Sequence, residues 1–441
     1  MNTDFIARKT RTFSQNPFIT TIFTADPSAH VWEADGRMYI YASRDMDPAR
    51  GCDLMDHYHV FSSEDMVNWR DEGEILSSDD VSWGRPEGGF MWAPDCAYRD
   101  GHYYYYFPHP SGSRWNDTWK IGVAVSDRPD SGFADRGYIE GLGGDSMIDP
   151  CVFTDEDGRV YMYYGGGAMP RGGEMNPDMV SMKEEMRPME GLVDFHEASW
   201  VFKRNGIYYM TYSDNCPGAN HLCYAMSANP LGPWDYKGFY LEPTGCDTSH
   251  GSVVEFKGAW YALYHNCDLS HQGNLRSICC DPLEFNEDGT IRTVVQSKNG
   301  RPPAGPAPVT DSRMKIYGAA DAIVGGAAEK YAEGNAYQNT AIHHFREEQS
   351  FAEFRKVDGY DGQRVTLGFY YACSDRLSKL RLIINDVDYS LINFLQTGFS
   401  YYFAGYASFT VRLLPGQENT IRLLGGHGDL SLEALSVEPL E

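Results

Sequence analysis

One phrase, written five times, constrains this chain more than any other feature. Its clearest copy is S-M-I-D-P-C-V-F-T-D-E-D-G-R-V-Y-M-Y-Y-G-G at residues 146–166: an acid, a short apolar run, a turn rich in Asp and Gly, then an aromatic strand. Ala25-Asp26-Pro27 precedes H-V-W-E-A-D-G-R-M-Y-I-Y-A-S, and Trp92-Ala93-Pro94-Asp95 precedes C-A-Y-R-D-G-H-Y-Y-Y-Y-F. His196-Glu197 leads into S-W-V-F-K-R-N-G-I-Y-Y-M-T-Y-S, and Ser249-His250-Gly251 into V-V-E-F-K-G-A-W-Y-A-L-Y-H-N. The turn glycines Gly36, Gly101, Gly158, Gly206 and Gly258 recur at roughly 50–65 residues. Each copy reads as two strands around a tight turn, because Asp-Gly and Asn-Gly accept the positive φ such turns need. Multi-stranded repeats of this length are propeller blades. Third strands are legible as Y-H-V-F-S-S, I-G-V-A-V-S, L-C-Y-A-M-S and S-I-C-C-D-P. The expected fold is all-β, a five-bladed β-propeller over residues 16–295.

With 441 residues, the chain has room for a second domain. Residues 296–310 carry Pro302, Pro303, Pro306 and Pro308 and no apolar period, so they read as a stiff linker. Residues 311–441 alternate as short strands, the pattern of a β-sandwich, with P-G-Q-E-N expected to be a hairpin connection. The glycine-rich stretch from Gly165 to Asp178 reads as a loop over one face of the propeller, and residues 1 to about 15 as a short arm. A net charge of −25 repels a phosphate-coated partner and argues against nucleic acid. No apolar run is long enough to span a membrane. The first residues hold no apolar signal core, so the chain as written is expected in the cytoplasm, or outside it if a signal has been removed. The ten cysteines show no framework spacing and are expected to be buried free thiols.

Inner strands of a propeller line its axis, so residues at their starts converge at one mouth. Those positions here hold Asp26, Asp149, Glu197 and His250, with Trp92 in the second repeat. Taken singly, an Asp before Pro is a common turn residue. Three acids at corresponding places suggest chemistry instead. Glycoside hydrolysis needs one carboxyl to protonate the leaving oxygen and another to activate water. A third nearby raises the acid's pKa by repulsion. Glu197 has the longer reach and the higher intrinsic pKa, which suits the acid. A sugar-binding propeller without catalysis would use the same acids only to hold hydroxyls.

A-D-P-S-A-H-V-W, M-I-D-P-C-V-F and H-E-A-S-W-V-F-K-R-N-G-I-Y-Y, in this order, resemble the three acid motifs of glycoside hydrolase family 43. These are inverting enzymes on a five-bladed propeller. The resemblance implies Asp26 as base, Asp149 as pKa modulator and Glu197 as acid. It further implies Trp92 as a stacking face for sugar, and Arg276 as the arginine that reaches substrate hydroxyls and holds the modulator. His250 resembles the axial histidine that, in many members, lies beside a hydrated calcium or sodium ion, contacting it through water because such ions prefer oxygen. No cofactor is implied for the chemistry. The implied substrate is plant cell-wall oligosaccharide or polysaccharide. The implied activity is that of an exo-acting α-L-arabinofuranosidase, with β-xylosidase and β-galactofuranosidase as rivals. Where the family often has E-G-P, this chain has Glu197-Ala198-Ser199, a departure that bears on substrate identity. The C-terminal phrases A-E-K-Y-A and G-D-L-S-L-E-A-L-S-V resemble carbohydrate-binding module family 6, with Phe399 or Tyr401 as the aromatics that would stack on sugar.

Overall fold

The computed structural model of the chain describes residues 3–48, 51–112, 118–143, 146–167, 170–214, 220–298, 301–397 and 405–440. Phe399, Tyr401 and Cys216 lie outside the described residues. Two units separate: Ser14–Ile19 with Phe23–Ala304, and Met1–Phe13 with Thr20–Ile22 and Gly305–Glu441.

The larger unit is a five-bladed propeller. Blade one is β1 (Thr24–Val31), β2 (Met38–Arg44), β3 (His57–Ser63) and β4 (Arg70–Ser77), paired in that order. Blade two is β5 (Asp95–Arg99), β6 (His102–Pro110), β7 (Trp119–Ser126) and β8 (Ala134–Tyr138). Blade three is β9 (Cys151–Thr154), β10 (Val160–Tyr164), β11 (Arg171–Glu174) and β12 (Arg187–Pro188). Blade four is β13 (Phe195–Arg204), β14 (Ile207–Asp214), β15 (Leu222–Ser227) and β16 (Asp235–Leu241). Blade five has β17 (Gly251–Phe256), β18 (Ala259–Asn266) and β19 (Ser277–Pro282).

Three of the turns expected from the repeat are two-residue hairpins. Asp100-Gly101, Asn205-Gly206 and Lys257-Gly258 all have positive φ at both residues, as a type I′ turn requires. In blades one and three only the glycine is left-handed, and the connections are longer. The glycine-rich stretch is not wholly a loop, because it contains β11. A Cβ on Gly172 would stand 2.8 Å from Met189 Sδ, and one on Gly173 2.6 Å from Met186 Sδ. Glycine is present because methionines pack onto the strand backbone, and the cost is an apolar alternation too weak to read as a strand.

Tyrosines explain how the blades adhere. Among the described residues the largest fully buried side chains are all tyrosines, and all but Tyr370 of the smaller unit fill the cores between neighbouring blades. Their hydroxyls then stitch the second strand of one blade to a late loop of the next. Tyr41 donates to Pro129 O at 2.8 Å, Tyr106 to Met179 O at 2.8 Å, and Tyr163 to Pro230 O at 2.6 Å. Tyr209 repeats the bond to Gly289 O at 2.8 Å. A hydrogen bond of this kind contributes about 1 kcal/mol net, and an unmet buried hydroxyl costs at least as much. At the ring closure the stitch comes from the proline-rich stretch. Arg301 Nη2 donates to Met66 O at 3.2 Å and Ala304 N to Asp65 O at 2.8 Å. The edge of β19 is covered by the N-terminal segment, where Phe18 N donates to Ile278 O at 3.0 Å.

The smaller unit is a β-sandwich. One sheet is centred on Arg364–Ala372 and Ser431–Pro439, the other on Phe351–Val357, Leu377–Ile384 and Asn419–His427. L-R-L-I-I-N-D-V-D-Y, expected as one strand, is a hairpin, because Asn385 and Asp386 both take positive φ. P-G-Q-E-N is not a hairpin connection. The strands on either side, Gly405–Arg412 and Asn419–His427, belong to different sheets, so the turn arches across the sandwich. The buried Asn419 amide holds that arch, donating to Leu414 O at 2.9 Å and Val357 O at 3.1 Å. The N-terminal arm docks on this unit. Phe5 stacks on Tyr370 at 4.2 Å, and Arg8 pairs with Glu433 at 2.8 Å.

Candidate active site

Asp26 lies at the head of β1, where the register slips between Ala25 and Ser28 and lifts Asp26-Pro27 out of the ladder. Such bulges re-aim side chains. Asp26 sits at φ 52°, a left-handed conformation that costs a non-glycine residue of order 1 kcal/mol. His265, the last-but-one residue of β18, offsets that cost. Its Nδ1 accepts the Asp26 N–H at 3.2 Å, and its Nε2–H donates to Thr248 O at 2.9 Å. This arrangement needs a neutral imidazole, and burial pushes the His265 pKa down to about 3.

The Asp26 carboxylate accepts from the Ser43 hydroxyl and, at 3.0 Å, from Arg276 Nη1. Burial acts to raise its pKa, but the Arg276 guanidinium, with help from the Ser43 hydroxyl, outweighs burial and leaves it lowered. Arg276 is fixed from behind by Asp45, to which Nε donates at 3.0 Å and Nη2 at 2.8 Å. A bidentate fork of this kind sets the position of the guanidinium as well as its charge. Arg276 thus does not hold the modulator as expected. It clamps Asp26 and Asp45, and its third direction goes to Thr248 Oγ1 at 3.0 Å. Asp149 feels its charge without a hydrogen bond from it.

Asp149 is also left-handed, at φ 52°, immediately before β9. In blade four the left-handed residue is Ala198, at φ 67°, so Glu197 stands one residue ahead of the place matching Asp26 and Asp149. The three acids are thus not in strict register. The offset has a use, because the turned Ala198 amide donates to Asp149 Oδ2 at 2.8 Å. Burial, then repulsion from Glu197 and Asp26, holds Asp149 well above the usual carboxylate range. Burial likewise raises Glu197; His196 and Arg276 oppose it, while Asp26 adds to it. Among the described residues the Glu197 carboxyl accepts no hydrogen bond, whereas Asp149 accepts one that favours its charged form. Of this pair, the Glu197 side chain is 18% exposed and that of Asp149 only 6%. Deeper burial favours the protonated form of Asp149 and the Ala198 N–H favours its charged form, so the two carboxyls form one pair pushed toward protonation.

Ala198 makes a stability prediction. Glycine relieves the strain at φ 67° but frees the unfolded chain and removes a buried methyl, so Ala198→Gly should shift stability by less than about 1 kcal/mol in a thermal melt while keeping the bond to Asp149.

Trp92 is partly exposed, with its Nε1–H on Cys52 O at 2.9 Å and its ring 4.5 Å from that of Trp119. His250 is buried, with Nδ1 3.7 Å from Asp149 Oδ2, and burial lowers its pKa so that the ring is neutral. The structure thus draws Asp26, Asp149, Glu197, Arg276 and His250 into one electrostatic cluster.

Residues 14–291 match the model of the glycosyl hydrolases family 43. The chain belongs to that family. A xylosidase/arabinosidase of Bacteroides ovatus is 36% identical over 321 residues, covering 62% of this chain and 95% of that relative. An arabinoxylan arabinofuranohydrolase of Bacillus subtilis is 29% identical over 344 residues, 65% of each chain. Among solved structures, a β-xylosidase/α-arabinofuranosidase from a compost metagenome, in complex with xylotriose and calcium-free, superposes with a TM-score of 0.58. It is 35% identical and covers 64% of this chain and 98% of that one.

A family 43 glycoside hydrolase needs no cofactor for its chemistry. Among the described residues no three His, Cys, Asp or Glu side chains are grouped to hold a metal directly. The neutral His250 imidazole is a poor direct partner for a hard cation, so it would meet a structural calcium or sodium ion only through water. Sequence reasoning missed Ser43, Asp45, Thr248 and His265, which hold the named acids. It also missed the reach of Asp95. This buried carboxylate accepts from Ser28 Oγ at 2.6 Å, Cys96 N at 2.7 Å and Val152 N at 2.6 Å, tying three inner strands together. Its place in W-A-P-D marks the head of an inner strand; its partners are not visible in sequence.

Proposed function

We propose that this family 43 enzyme is an exo-acting, inverting hydrolase that removes α-L-arabinofuranosyl side chains from plant cell-wall arabinoxylan- or arabinan-type glycans. One observation carries the mechanism: a carboxylate held ionised by Arg276 stands in the same buried cluster as a carboxyl pair pushed toward protonation. Environments that drive carboxyl pKa values apart assign acid and base. Asp26 takes the proton of the attacking water, and Glu197 gives its own to the departing oxygen. Asp149 keeps Glu197 protonated by repulsion, and Trp92 offers the sugar an aromatic face. The arabinofuranosyl assignment is supported by the names of two relatives. β-Xylosidase is the second reading, favoured by the xylotriose bound in the related structure. A panel of nitrophenyl furanosides and pyranosides decides between them. Fastest turnover is expected on the α-L-arabinofuranoside; preference for the β-xyloside establishes the second reading, and silence on every glycoside rejects both.

The pH profile follows from the same charges. Activity needs Asp26 ionised and Glu197 protonated, so the acid limb lies below the ordinary carboxylate range and the alkaline limb above it. Asp149→Asn removes a negative charge beside Glu197, lowers its pKa, and should move the alkaline limb to lower pH with the acid limb nearly unchanged. A pH series of kcat/KM checks this.

A further inference from the structure

Among the described residues three cysteines are not fully buried: Cys52 is exposed, and Cys246 and Cys267 are half-buried. The last two lie on adjacent chain segments. Cys267 Sγ stands 3.3 Å from Gly245 O, next to Cys246, and Cys246 Sγ stands 3.9 Å from His265 O, two residues before Cys267. Each thiol thus reaches across to the other's chain segment. Those segments belong to the catalytic mouth. Thr248, two residues after Cys246, accepts from Arg276 Nη1 at 3.0 Å, and His265 holds the Asp26 amide.

We propose that Cys246 and Cys267 form an oxidisable dithiol site that takes a hydroperoxide as co-reactant and closes to a disulfide, drawing Thr248 away from Arg276. The Cys267 thiolate attacks one peroxide oxygen, the O–O bond breaks, and the expelled hydroxide takes up a proton to leave as water. Cys246 sulfur then attacks the Cys267 sulfenic acid, its proton leaving with the displaced hydroxyl as a second water. Two thiols and one hydroperoxide give one disulfide, two electrons passing from sulfur to oxygen; a small dithiol reverses the change. The hydrogen bond from Cys246 draws the Cys267 pKa down to about 7, and that same bond, followed by burial, pushes Cys246 up. The attacking and resolving thiols are therefore distinct. A disulfide demands closer approach than a thiol hydrogen bond. That closure pulls on the short segment carrying Thr248, whose bond to Arg276 helps fix the guanidinium against Asp26.

The effect on turnover rests on the proposed role of Asp26; the disulfide itself does not. The full chain is treated with hydrogen peroxide under native conditions, alkylated, and mapped by peptide mass spectrometry alongside glycosidase activity. A linked peptide joining Cys246 and Cys267 is expected, together with a roughly tenfold loss of activity that a dithiol restores. Cys246→Ser should leave a dimedone-reactive Cys267, whereas Cys52→Ser should respond like the parent. Oxidation confined to other cysteines overturns the site. A linked peptide with full activity overturns the coupling to Arg276. A linked peptide in a protein that turns over no glycoside before treatment counts against the functional reading and leaves the dithiol standing.

Discussion

Asp26→Asn should reduce kcat/KM by about 10²–10⁴ on every substrate, whatever its leaving group. The substitution removes a charge and little else. Asparagine adopts left-handed φ as readily as aspartate, so the bulge before Ser28 and the amide bond to His265 should survive. Its side chain can still accept from Ser43. Arg276 keeps its bidentate grip on Asp45 and its bond to Thr248, so no buried cation is left without partners. Melting temperature should change little. What disappears is the group that takes the proton of water, and water attack is needed for an activated aryl glycoside as much as for a natural glycan. A flat loss across a leaving-group series, with an unaltered melt, is the expected signature. A loss that tracks leaving-group pKa would place the base elsewhere.

Glu197→Gln should do the opposite with leaving groups. Glycosides that depart as poor alkoxides should lose about 10²–10⁴, because the leaving oxygen no longer receives a proton. An aryl glycoside whose phenol is already acidic should be nearly spared. The alkaline limb of its pH profile should vanish, since Glu197 is the group whose raised pKa sets it. The Gln side chain fills the same partly open position next to the bulge and leaves the Ala198 bond to Asp149 untouched. Kinetics on a series of substituted phenyl glycosides would show a steep dependence on phenol pKa in the variant where the parent is shallow. Equal loss on all of them would remove the acid role from Glu197.

Much of this was legible in the chain because the blades repeat. Tight turns need glycine at fixed places, and alternating aromatics need a sheet, so five blades and the heads of their inner strands could be read directly. The strands that escaped detection are those whose packing hides their pattern. Residues 171–174 need glycine under Met186 and Met189, and residues 385–386 turn on Asn-Asp within a stretch that otherwise alternates as a strand. The acids could be named because each opens a copy of the repeat. Their supports could not, since Asp45, Thr248 and His265 lie in other blades or loops and meet Asp26 or Arg276 only in three dimensions. That Arg276 holds Asp26 rather than Asp149 was hidden for the same reason. A lone arginine in sequence does not say which of several carboxylates it will face.

The stereochemistry of the first product tests the pairing of Asp26 with Glu197 most directly. Water activated by Asp26 on the face opposite Glu197 must yield a sugar of inverted anomeric configuration, because no covalent intermediate turns the centre twice. Proton NMR in the first minutes of hydrolysis of an aryl glycoside, before mutarotation, reads this outcome. The inverted anomer should appear first and the other only as equilibrium is approached. First appearance of the retained anomer would mean that a carboxylate attacks the sugar itself, and the assignment of Asp26 as base would be wrong.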